Sequence, residues 1–207
     1  MRTLKRTAST KHASRSDRFL FISGRLCLDF VHTGGADERQ RFEEWYTPRD
    51  LAEWLAASSL QIAGIEVSAD DLDVAYALRE AIWHTALACI HHDPLPPTAI
   101  ECINQVARGP DLAPQFVGEH AYTFWTPSLT APAALSTVAR DAIALFTGEQ
   151  ARLIRQCANP RCLLLFVDAS RPGKRRWCSM DRCGNRAKTA TYRQHHHSRN
   201  AQVPHGD

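Results

Sequence analysis

The chain has 207 residues, 44% of them hydrophobic and 23% charged, as in an ordinary globular protein. That length suits one domain of common size with a small satellite, and no apolar run approaches the ~18 residues a membrane helix needs. The net charge of +3 conceals an asymmetry: six Lys/Arg against one acid in residues 1–18, seven against eighteen in 19–151, and twelve against three in 152–207. An acidic body with basic ends predicts that one end, and not the whole chain, meets a polyanion.

Residues 1–18 are Arg- and Ser-rich and acid-poor, a composition shared by organellar transit peptides and disordered basic tails. No amphipathic apolar face is present, which favours the tail. The run FLFISGRLCLDFV (19–31) opens like a strand, fits either period after Gly24, and stops at Thr33-Gly34-Gly35. Thr47 and Pro48 read as N-cap and first residue of a helix carrying Leu51, Trp54 and Leu55. Ser68 caps the next, with Asp70 and Asp71 in its first turn and a stripe of Leu72, Ala75, Leu78, Ile82 and Ala86. Pro94, Pro96 and Pro97 end it. A short helix is expected over Thr98 to Ala107, then a small hairpin from Phe116-Val117 and Ala121 to Trp125. Pro132 to Arg155 reads as one long helix with Leu135, Val138, Ala142, Leu145 and Phe146 inward, although Gly148 weakens its end.

Seven cysteines are present. Cys27, Cys89 and Cys102 sit singly in apolar surroundings and read as buried small hydrophobes. The other four form the pattern Cys157-x4-Cys162-x15-Cys178-x4-Cys183. An odd count without a secretory signal disfavours a disulfide framework and suits a reducing cytoplasm. Zinc takes four tetrahedral ligands, and two short loops of two thiolates each close that shell. Between the pairs, Leu163 to Val167 reads as a strand, Asp168 to Lys174 as a turn and Arg175 to Trp177 as a return strand. A redox dithiol competes, but such motifs space their cysteines by two. Four cysteines leave no open position for catalysis at the metal. A helix is expected to start at Ser179, placing Cys183 in its first turns, where the helix dipole favours a thiolate.

Lys174, Arg175, Arg176, Arg182, Asn185, Arg186, Lys188 and Arg193 are the candidate nucleic-acid contacts. Lys and Arg neutralise phosphates, while Arg and Asn can also read base edges. The plainer alternative is that two or three of these cations offset the charge of the zinc thiolates. Consecutive His195, His196 and His197 point in different directions on a helix and read as an exposed tail.

The stretch RWCSMDRCGNR (176–186), with its tetrad Cys183-Gly184-Asn185-Arg186, resembles the CGNR zinc finger family, as do Cys157-Ala-Asn-Pro-Arg-Cys162 and the apolar LLLFVD that follows. Upstream, GRLCLDFVHT (24–33) is similar to the ABATE domain that usually precedes this finger, with His32 where the family form has Asn, and Leu78-Arg79-Glu80-Ala81-Ile82 is also similar. The resemblance spans roughly residues 19–195 and implies a bacterial, stress-induced transcriptional regulator. In such a regulator Asp29, His32, Arg79 and Trp83 are the candidate lining of a ligand pocket; a structural Asp29–Arg79 ion pair with Trp83 in the core is the plainer reading.

The expected fold is α+β: a disordered basic tail (1–18), a mainly helical ABATE-like domain with a few short strands (19–151), a zinc-ribbon-like hairpin with a basic helix (152–198) and a disordered tail (199–207). The expected function is zinc-dependent DNA binding, with one structural Zn2+ and a helical domain that senses a ligand or protein partner. A protein-interaction module with purely structural zinc is the alternative. A small-molecule enzyme using His32, Asp29 and His84 is a further one, disfavoured because no nucleophile–base pair or phosphate loop appears.

Overall fold

The computed structural model describes residues 18–117, 122–125, 129–189 and 192–193. Five helices come first: α1 (Leu26–Val31), α2 (Pro48–Ala57), α3 (Ala69–His91), α4 (Pro97–Ala107) and α5 (Ala131–Thr147). The antiparallel hairpin of β1 (Pro114–Val117) and β2 (Tyr122–Trp125) lies between α4 and α5. A second antiparallel pair, β3 (Ile154–Gln156) and β4 (Leu165–Val167), follows. Among the described residues no helix is long and apolar enough to cross a membrane.

Local chemistry sets the helix starts. The Thr47 N–H and hydroxyl both donate to Asp50 Oδ2 at 2.8 Å. Ser68 N donates to Asp71 Oδ2 at 2.9 Å while Asp71 N donates back to Ser68 Oγ at 3.1 Å, a capping box. Ser68→Ala is expected to cost about 1 kcal/mol. In a chain of this size that lowers the melting temperature by about 2–4 °C, readable by calorimetry. At its other end α3 stops at His92, which takes a left-handed φ of 60° before the prolines.

Helix α3 is the central element. It packs against α1, α2, α4, α5 and β3, and it buries residues all round, from Leu72 and Leu78 to Trp83 and Ala86, as a core helix must. Phe30, Trp45 and Trp54 stack edge to face beside it, with ring centroids 4.8, 5.2 and 6.0 Å apart. Residues 26–31 resolve into helix α1. Its orphan Cys27 N–H donates to Asp141 Oδ2 of α5 at 2.9 Å, and Arg25 pairs with the same carboxylate at 2.8 Å.

Two expectations need correction. The helix expected to reach Arg155 ends at Thr147. Gly148 is extended (ψ 174°), a Cβ there would lie 2.7 Å from the Ala144 carbonyl oxygen, and a short 3-10 turn leads into β3. Strand β4 does not pair with a return strand at Arg175 to Trp177. It pairs with β3, in the register Ile154↔Val167, upstream of the first cysteine.

This pairing makes the hairpin a seam. Side chains alternate along a strand, so Leu163, Leu165 and Val167 face the main core with Ile154, while Leu164 and Phe166 face the cysteines. Phe19 and Phe21 likewise join the main core, and Leu20 and Ile22 the cysteine side. Both apolar runs are hydrophobic on two faces because both have two cores to cover.

Candidate metal centre

The first cysteine pair sits on the turn joining β3 to β4. Cys157 N donates to the Leu164 carbonyl at 2.8 Å and Cys162 N to the Asn159 carbonyl at 2.9 Å, and Leu163 turns the chain back with a φ of 60°. The second pair flanks Ser179, from which a π-helical turn (Met180–Gly184) runs into helix through residue 189. Asp168, buried at the opposite end of the hairpin, ties down the intervening loop by accepting from Ser170 N and Arg175 N at 3.1 and 2.9 Å. A Cβ at Gly184 would fall 2.5 Å from Met180 Sδ and 3.3 Å from Trp177 Cδ1, so a larger residue there would have to displace the exposed Met180 side chain.

The four sulfurs converge to within 4.8 Å of one another. Cys162 and Cys178 are 3.5 Å apart, and Cys178 and Cys183 3.7 Å. Zinc–sulfur bonds of about 2.3 Å in a tetrahedron set edges of about 3.8 Å, so the donor set fits zinc. Without a cation the thiols conflict. The Cys162–Cys178 hydrogen bond lowers the pKa of Cys162 and, together with burial, raises that of Cys178. A divalent ion relieves this by holding all four as thiolates.

The described donors that reach the sulfurs are amides. Cys178 N donates to Cys157 Sγ and Asn159 Nδ2 to Cys183 Sγ, both at 3.4 Å. No described Arg or Lys donates to a sulfur. Arg175 is the cation drawn inward: its guanidinium lies 4.3 Å over the Phe166 ring and donates to the Trp177 and Cys178 carbonyls. Lys174, Arg176, Arg182, Asn185, Arg186, Lys188 and Arg193 are exposed. His195, His196 and His197 lie outside the described residues.

The pocket set Asp29, His32, Arg79 and Trp83 does not gather around one site: Asp29 and His32 approach to 3.8 Å, His32 and Trp83 line a small second cavity, and Arg79 stands apart. Asp29 accepts from Ile22 N and Ser23 N at 3.0 and 2.9 Å. Arg79 pairs bidentately with Glu43, at 2.9 and 2.6 Å, and not with Asp29. Trp83 is covered by Arg39 at 4.3 Å. His32 Nε2 bonds the Leu165 carbonyl at 2.8 Å, fastening α1 to β4. Only His32 of the four lines the large cavity, about 800 Å3, between the helical layer and the cysteine unit. Sequence reasoning missed that cavity, whose walls come from opposite ends of the chain.

Burial raises the Asp29 carboxyl from 3.8 to about 6 and lowers the His32 imidazole from 6.5 to about 4. The signs oppose each other. Asp29 stabilises least once ionised, so its contribution falls as pH rises from 4 to 6; neutral His32 is penalised by acid, so its contribution rises over the same window. His32→Asn removes the rising part. Urea unfolding at pH 4.5 and 6 should show the variant losing about 2 kcal/mol relative to wild type across that interval. Parallel profiles would mean that His32 does not titrate in this way.

A helical layer joined through a shared hairpin to a four-cysteine site defines a zinc-finger protein whose thiols hold one structural zinc ion. Residues 24–149 match the family model ABATE, described as "Putative stress-induced transcription regulator", and residues 153–196 match the CGNR zinc finger. The first match alone spans more than half of the chain, which therefore belongs to the ABATE family. Among curated proteins none matches it.

Proposed function

We propose that this protein is a cytoplasmic DNA-binding transcriptional regulator in which the zinc unit contacts DNA and the helical domain receives the signal. The observation that carries this reading is the fate of the basic residues. The described donors to Cys157 and Cys183 are amides. Two or three cations would be enough to offset the charge of four zinc-bound thiolates, so compensation leaves most of the cations unaccounted for. Lys174, Arg176, Arg182, Arg186, Lys188 and Arg193 remain exposed on a unit whose stretch holds twelve Lys/Arg and three acids. Such a surface suits phosphate contacts, and Asn185 and Arg186 add groups able to read base edges. Arg175 is left out of the interface because its guanidinium serves the interior. Both matched families are regulator-like or zinc-finger, not enzymatic, and four thiolates leave zinc no open position for chemistry.

The test is DNA binding by the zinc-loaded chain across a salt series, with random and genomic fragments. Lys174→Ala with Lys188→Ala should keep zinc and reduce the slope of log K against log salt by up to about two, one per lost phosphate contact. An unchanged slope removes both lysines from the interface. Binding that is equally weak for every sequence and vanishes at moderate salt would leave only generic attraction and favour the protein-interaction reading.

A further inference from the structure

The cavity between the helical layer and the zinc unit combines three properties. It encloses about 800 Å3, within the range of small-molecule sites. Its lining is cationic: Arg41 comes from the helical side, and Arg161, Arg182 and Arg186 from the zinc side. The side chains of Arg161 and Arg186 have no hydrogen-bond or ion-pair partner among the described residues. Arg41 reaches the Arg161 carbonyl at 3.3 Å, the exposed Glu38 at 3.8 Å and the face of the Phe42 ring at 4.8 Å. Of the two acids in the wall, Glu43 is already neutralised by Arg79. The half-buried Glu44 carboxyl is raised to about 7, chiefly by burial, so near neutrality it is a hydrogen-bond donor as often as an acceptor. Phe42, from the helical side, and Trp177, from the zinc side, add flat apolar surface to the lining.

Four guanidinium groups facing one partly ionised and one already paired carboxylate around a concave, partly apolar space select an anion, and the aromatic side chains select one with a planar body. We propose that this cleft is the binding site for a small aromatic anion, its charged group held by Arg182 and Arg186 and its ring set between Phe42 and Trp177. The ligand bridges the two units, since each contributes one aromatic side chain. Arg182 and Arg186 are shared with the proposed DNA surface, so an anion in the cleft competes with DNA for them. The experiment uses no DNA, so that its failure is distinct from failure of the DNA-binding reading.

The zinc-loaded full chain is titrated with 1-naphthoate, adenosine monophosphate, inorganic phosphate and 1-naphthylmethylamine by calorimetry, with saturation-transfer NMR to detect the bound ring. At least one aromatic anion should saturate, and which one does separates a carboxylate ligand from a phosphate ligand. The amine and inorganic phosphate should bind at least about tenfold more weakly. Arg182→Ala with Arg186→Ala should weaken the aromatic anion by about tenfold or more while stoichiometric zinc is retained. Phe42→Ala should weaken it too, and Arg152→Ala, outside the cleft, should not. The proposal is overturned if neither aromatic anion saturates, if inorganic phosphate binds equally well, or if the double variant keeps its affinity.

Discussion

Cys178→Ser is expected to release zinc and lower the melting temperature by about 20 °C or more. Structural zinc supplies about 10 kcal/mol or more of folding free energy in small modules, and each kcal/mol is worth about 2–4 °C at this chain length. The loss should not stay local. Cys157 N continues the β3–β4 ladder by donating to the Leu164 carbonyl, and Ile154, Leu165 and Val167 of that ladder belong to the main core. Chelating the zinc from wild type should therefore disturb the near-ultraviolet signal of Trp45 and Trp54 as well as that of Trp177. A variant that keeps one zinc per chain and its melting temperature would show that Cys178 is not a ligand.

Arg79→Met is expected to destabilise by about 3–5 kcal/mol, the cost of stranding one partner of a buried ion pair. The Arg79 side chain is 3% exposed and that of Glu43 15%. The guanidinium lies 5.0 and 5.1 Å from the Trp45 and Tyr76 ring centroids and reaches the Thr33 carbonyl at 3.3 Å. Removing it leaves the Glu43 carboxylate without its counter-charge, accepting only the Trp45 backbone N–H at 3.0 Å among the described donors. Arg79→Met with Glu43→Leu should recover most of the loss, because the two apolar replacements restore a neutral, filled space. Urea unfolding of both variants measures this. A loss below about 1 kcal/mol in the single variant would mean that solvent already compensates Glu43.

What could be read from the sequence follows the range of the forces involved. The caps at Thr47 and Ser68 were legible because an Asx or hydroxyl side chain bonds a backbone group three residues away. The zinc ligands were legible because four thiolates at fixed spacing have few other uses. The end of α5 was misread because Gln150 to Arg155 is composed of helix formers, and the competing attraction is a ladder to Leu165 through Val167. The partners of Arg79 and Asp29 were misassigned for the same reason: Glu43 lies on a loop that only the tertiary fold brings to α3. The cleft was out of reach, since Arg41 and Arg161 meet across 120 positions of chain.

The hairpin also bears on how the protein is made. Val167 N donates to the Ser23 carbonyl at 2.9 Å, and β3 and β4 cover part of the helical core with residues from the last quarter of the chain. On the ribosome, where residues are added at about 5–20 per second, the five helices emerge before this cover exists. The nascent helical layer carries an open apolar face until the hairpin arrives, and zinc capture by the cysteines that flank it completes the seam last. Limiting zinc during synthesis should prolong the exposure of that face and leave the nascent chain dependent on chaperones.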